Sequence, residues 1–62
     1  MGEHHLSVAE TKENFGVLLD KNLKNKEGAK QFYNEALSIY KIKLGENAER
    51  AKRVVKRISK LE

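Results

Sequence analysis

Few residues in this 62-residue chain have the types and spacing that chemistry needs. His4 and His5 are adjacent, so their side chains diverge, and no third ligand lies near them in sequence. They read as part of a polar leader rather than as a metal site. Glu10 and Glu13 are three apart, which puts both on one helix face. A working acid–base pair needs surroundings that push the two pKa values apart. Nothing apolar surrounds these glutamates in sequence, so they read as a solvated face. Cysteine is absent, which removes disulfides and thiolate metal sites. There is no glycine-rich phosphate loop and no nucleophile–base set. The expectation is a protein that is not an enzyme and carries no cofactor or metal.

A second set of residues suits binding. Arg53, Lys56, Arg57 and Lys60 recur at i, i+3, i+4 and i+7, one face of a helix. Residues 46–62 hold six basic and three acidic side chains, net +3, whereas residues 1–45 hold seven and six, net +1. Arginines can grip carboxylates in bidentate fashion and lysines act as point charges, so the stripe suits an acidic peptide or protein. The alternative is a basic helical module for nucleic acid or another anionic surface. No aromatic residue interleaves the stripe and the whole chain is only +4, so nucleic acid is the weaker reading. The stripe also has a structural reading, in which Glu10 and Glu13 pair with Arg53, Lys56 or Arg57 across neighbouring helices at about 0–1 kcal/mol per exposed pair.

The elements that carry these residues follow from periodicity. Ser7-Val8-Ala9-Glu10 has the form of a capping box, and Val8, Thr11, Phe15, Leu18 and Leu19 then form an amphipathic stripe that fades near Lys21 or Asn22. The polar turn Asn22–Lys26 contains two asparagines, which tolerate left-handed and capping conformations. A second helix starts after Asn25 and runs to about Leu44, with the stripe Ala29, Phe32, Tyr33, Ala36, Leu37, Tyr40 and Leu44. Gly45 is placed as its left-handed cap. Asn47 is placed as the N-cap of a third helix, with the stripe Ala51, Val54, Val55, Ile58 and Leu61. Proline is absent, and every glycine but Gly16 sits at or near a segment end. A mid-helix glycine costs about 1 kcal/mol relative to alanine. Close approach of a second helix explains it, with Ala29 and Ala36 offering the smooth facing surface.

The longest apolar run is Val17-Leu18-Leu19, too short to span a membrane, and Met1–His5 is polar with no apolar segment of the signal-peptide kind. With the missing cysteine, this fits a cytoplasmic protein with no membrane partner. Ordering 62 residues costs on the order of 90 kcal/mol, and so short a chain buries only about 60% of its unfolded surface. The core must come from helix packing, with self-association as a further source of burial. Tyr40, Leu44 and the far side of the third helix are the expected self-contact surfaces.

A shift of forty-three residues maps the first helix onto the third: Val8 onto Ala51, Thr11 onto Val54, Phe15 onto Ile58, Gly16 onto Ser59 and Leu18 onto Leu61. The chain also resembles a known family. Gly2-Glu3-His4-His5-Leu6-Ser7-Val8-Ala9-Glu10-Thr11 resembles the G-P-D-H-P-x-V-A-x-T start of the tetratricopeptide repeats of kinesin light chains and their relatives. Asn14-Phe15-Gly16 resembles the N-L-G of the repeat's first helix. Ala29, Tyr33 and Ala36 match the small, aromatic and small positions of its second, and Ala36-Leu37-Ser38-Ile39-Tyr40 with Leu44-Gly45 resembles its ending. The resemblance covers residues 2–45, one repeat of the long type. The chain departs from the pattern at Lys12, at Leu19, by one extra residue in the turn, and at Arg57-Ile58-Ser59 where the third helix lacks N-L-G.

The expected architecture is all-α, a right-handed arrangement of three helices. Residues 1–6 form a leader, 7–45 an antiparallel hairpin resembling one tetratricopeptide unit, and 46–62 a third, basic capping helix parallel to the first. The resemblance implies a fragment of a protein–protein interaction scaffold that binds an extended, acidic peptide or protein. It also implies that Asn14 bonds the ligand backbone, beside Arg53, Lys56, Arg57 and Lys60 as the remaining peptide-binding residues.

Overall fold

The structure, a computed structural model, describes residues 5–61. Three helices make up most of it: α1 (Leu6–Lys21), α2 (Lys26–Leu44) and α3 (Glu49–Leu61), and no strand occurs among the described residues. The fold is all-α, an antiparallel hairpin of α1 and α2 followed by a third helix. Of the expected leader, only His5 and Leu6 fall within the described residues. Side-chain partners give the directions. Along α1, Glu13, Gly16 and Leu19 meet Tyr40, Tyr33 and Gly28 of α2, a descending order that makes the pair antiparallel. Glu10 bonds Arg50 and Glu13 bonds Arg53, an ascending order that makes α3 parallel to α1.

The helix ends separate good local signals from weak ones. Asn25 caps α2 as its sequence predicts, its Oδ1 accepting from the Gly28 N–H at 3.0 Å. Gly45 ends α2 with φ of 97°, a conformation that favours glycine, and its N–H donates to the Lys41 carbonyl at 3.0 Å. The capping box at Ser7 does not form. α1 begins at Leu6 behind His5, which makes no side-chain cap bond. Ser7 is inside the helix, its carbonyl accepts from Thr11 Oγ1, and Glu10 is drawn off to Arg50. Asn47 lies in the turn closed by Ala48 N–H to the Gly45 carbonyl. The first helical bond of α3, from the Lys52 N–H, goes to Ala48, so Asn47 is not its cap. In the α1–α2 turn the left-handed residue is Lys24, at φ 53°, and neither asparagine. Asn25 is held in its capping geometry, and the turn must reverse just before it.

The core is built from small residues and two tyrosines. Ala9, Ala29, Ala36 and Ala51 are buried, with Tyr33, Tyr40, Ile39, Val54 and Leu61 among them. Gly16 is the point of closest approach, because a Cβ there would sit 2.5 Å from Tyr33 Cε1. The glycine is therefore the space that the tyrosine ring fills. Leu19 and Val54 are the inward members of the pairs Leu18/Leu19 and Val54/Val55.

The expected stripe of α1 needs correction. The face against the rest of the protein is Ala9, Glu13 and Gly16, while Phe15 and Leu18 are 49% and 42% exposed. Ala9 and Gly16 let α2 come close, and that approach turns the bulky residues to the rim. There Phe15 stacks on Phe32 with centroids 5.7 Å apart. Lys12 bridges to Glu35 at 2.6 Å and lies 5.8 Å from the centroid of the Phe32 ring. Tyr40, expected at a self-contact surface, is fully buried.

Two substitutions check this account. Gly16→Ala should cost about 1–3 kcal/mol, since the added methyl must displace the Tyr33 ring. Lys24→Gly should instead stabilise by about 0.5–1 kcal/mol by relieving the left-handed backbone. In thermal melts the two midpoints should move in opposite directions from the parent.

Candidate functional site

Glu13 is the only charged side chain of the core among the described residues, at 4% exposure. Its carboxylate is fully engaged. Arg53 forks onto it, Nε donating to Oε2 and Nη2 to Oε1, both at 3.0 Å. Arg57 Nε donates to Oε2 at 3.0 Å, and the Tyr40 hydroxyl donates to Oε1 at 3.1 Å. Burial by itself would raise the Glu13 carboxyl. The Arg53 bonds and charge, with Tyr40 and Arg57, outweigh it and hold the group below the ordinary glutamate value. The Tyr40 phenol moves up, through burial and then through the neighbouring Glu13 charge. No buried side-chain polar atom among the described residues lacks a partner.

This cluster sorts the cations of α3 by type. Arg50, Arg53 and Arg57, at i, i+3 and i+7, turn toward α1 and pair with Glu10 and Glu13. Lys52, Lys56 and Lys60, at i, i+4 and i+8, are exposed, and none forms an ion pair with a described residue. Arginine suits the inward position because its planar fork satisfies both carboxylate oxygens at once. The i, i+3, i+4, i+7 stripe read from the sequence therefore splits into adjoining sectors: Arg53 and Arg57 pair with Glu13, Lys56 and Lys60 stay in solvent, and Arg53 borders both.

Asn14 is exposed and lines a shallow depression with Thr11, Phe15 and Leu18. Arg53 and Lys56 line another, with Glu49 and Lys52. The two depressions share no residue, so Asn14 and the cations do not converge on one groove. A third depression, of about 300 Å³, runs along Val8, Thr11, Lys12, Phe15 and Phe32 and joins that of Asn14 through Thr11 and Phe15. Of the two adjacent histidines, His5 is exposed at the start of α1 and His4 lies outside the described residues. No group of histidine, cysteine or carboxylate residues able to hold a metal occurs among the described residues. None of the described helices is long and apolar enough to cross a membrane.

No protein family, curated protein or solved structure matches this chain. Its functional reading rests on these surfaces.

Sequence reasoning had the Glu13–Arg53 and Glu13–Arg57 pairings as one of its readings but placed them at the surface. It missed Tyr40 as a donor and Arg50 as the partner of Glu10. One signal was available: Glu13 shares the i, i+4, i+7 row Ala9, Glu13, Gly16, whose glycine costs helix stability and so marks a packed position.

Acid should expose the role of Glu13. Its folded pKa is depressed, so its contribution is complete above about pH 4.3, the unfolded value, and is lost as pH falls toward the folded one. The stability difference between the parent and Glu13→Gln, followed by urea unfolding from pH 6 to 2, should shrink over that interval. Arg53→Met at pH 7 should cost about 1–3 kcal/mol, because it strips the buried carboxylate of its bidentate partner.

Proposed function

We propose that the chain is a helical protein–protein interaction module, a piece of a tetratricopeptide-like scaffold, that engages an extended acidic peptide or protein segment through the outward side of α3. The observation that carries the reading is that the arginines of α3 pair with Glu10 and Glu13 while its lysines are exposed and form no ion pair with a described residue. The lysines stay in solvent, where their ammonium groups can meet an anionic partner. Lys56 and Lys60 of the expected binding stripe belong to this surface, and Lys52 extends it. Arg53 and Arg57 are committed to Glu13 and help to position α3. Asn14, with an amide that both donates and accepts, offers a separate contact at the α1 edge.

An acidic polypeptide fits this face better than a nucleic-acid backbone. Glu49 stands among Lys52, Arg53 and Lys56 in the same depression and would repel a continuous line of phosphates. A peptide with spaced carboxylates can avoid it. No aromatic side chain lines that depression to stack on a base. The parallel placement of α1 and α3 and the small-residue face of α2 support the tetratricopeptide-like arrangement. The reading is non-enzymatic and intracellular.

A labelled Asp/Glu-rich peptide of about ten residues should bind weakly in anisotropy titrations, near −5 to −7 kcal/mol, which is the micromolar to high-micromolar range. Reversing Lys52, Lys56 and Lys60 to glutamate should abolish binding and leave helicity unchanged. Tighter binding of DNA than of peptide, with a log–log salt slope near −0.9 per phosphate, would instead favour the nucleic-acid function. Peptide binding indifferent to the three lysines would place the site elsewhere.

A further inference from the structure

The correspondence between α1 and α3 pairs covered positions with uncovered ones. Val8, Thr11, Phe15 and Leu18 map onto Ala51, Val54, Ile58 and Leu61. In α3 these are the packed face: Ala51, Val54 and Leu61 are buried and Ile58 is half-buried. In α1 the same positions have no helix over them, with Thr11, Phe15 and Leu18 exposed and Val8 half-buried. The reverse also holds. Ala9, Glu13 and Gly16, buried in α1, map onto Lys52, Lys56 and Ser59, all exposed in α3. Phe15 follows Glu13 by two residues, about 200° around the helix, so the open face of α1 points away from α3. The protein thus has one apolar open end and one end closed by lysines.

We propose that the open end docks a second copy of this chain, face to face, about a two-fold axis. Head-to-tail stacking would press the apolar face of one copy onto Lys52 and Lys56 of the next, desolvating more cationic charge than the single Glu49 beside them can balance. Two open ends meet without that penalty. Their charges are already balanced, because Lys12 and Glu35 neutralise each other at 2.6 Å. Most of the net charge of +4 is carried by the C-terminal segment, on the far side of the hairpin. The contact buries Phe15, Leu18, Phe32 and Val8 from both copies, apolar surface of a kind that a monomer rarely leaves contiguous and exposed. An isologous contact uses the same patch twice and closes at the dimer. It leaves the lysine face of each copy free.

Sedimentation equilibrium over about a hundredfold range of concentration, with mass action setting the populations, tests the proposal. The parent mass should rise from 7.1 kDa toward twice that value and stop there. Phe15→Glu should remain monomeric throughout with unchanged helicity, and Val55→Glu, on α3, should dimerise like the parent. A covalent probe covers the case in which Phe15→Glu unfolds. The chain has no cysteine, so Thr11→Cys places a single thiol on the open face and Lys52→Cys one on the closed face. Under oxidation the first should give a disulfide-linked dimer at least tenfold faster than the second. A parent that stays monomeric, a mass that grows past the dimer, or faster crosslinking at position 52 would each overturn the proposal.

Discussion

One buried carboxylate holds the three helices in their relative places. Glu13 belongs to α1, its tyrosine partner to α2 and its two arginines to α3. The apolar contacts of α3 run mainly to α2 through Ala51, Val54 and Leu61, and its tie to α1 is polar. A greasy contact in place of Glu13 would tolerate sliding or rotation of a short helix. A carboxylate that accepts four bonds does not, because only one rotation and one register of α3 bring both guanidinium groups to its oxygens. Buried ionic groups are often no more stabilising than apolar replacements, and the registry role is their best-supported use. Here that role decides which cations of α3 turn inward and which stay in solvent.

The hairpin beneath this cluster is a consequence of size rather than of hydrophobicity. Gly16, Ala9, Ala29 and Ala36 bring two backbones close together, and Tyr33 fills the gap that the glycine leaves. The two tyrosine rings of α2 take the space that the small residues of α1 leave, and no further bulky side chain fits between the helices. Phe15, Phe32 and Leu18 are displaced to the edge, where they form the apolar end of the protein. Tight packing of the interior and exposure of an aromatic surface are two results of one constraint.

The two ends differ in chemistry as well as in position. The α1 end offers aromatic and aliphatic side chains with a neutral ion pair, and the α3 end offers three lysines around one glutamate. The apolar surface and the cationic surface therefore use different side chains and lie on different helices.

The sequence by itself determined the local structure where the signal is local. Helical spacing placed all three helices, Asn25 began and Gly45 ended α2 as their backbone preferences require, and Gly16 marked the closest contact because nothing else justifies a glycine there. It did not determine which way each helix turns. On α1 the stripe through Phe15 and Leu18 is more hydrophobic than the row Ala9, Glu13, Gly16, yet the second is buried. The reason is steric: backbone approach selects small residues, and hydrophobic periodicity does not count size. The sequence likewise could not divide six cations of α3 between structure and surface, since that depends on where a glutamate forty residues earlier comes to lie. Only the tertiary arrangement of three helices brings Glu13, Tyr40, Arg53 and Arg57 to one point, and that meeting leaves the lysines facing solvent.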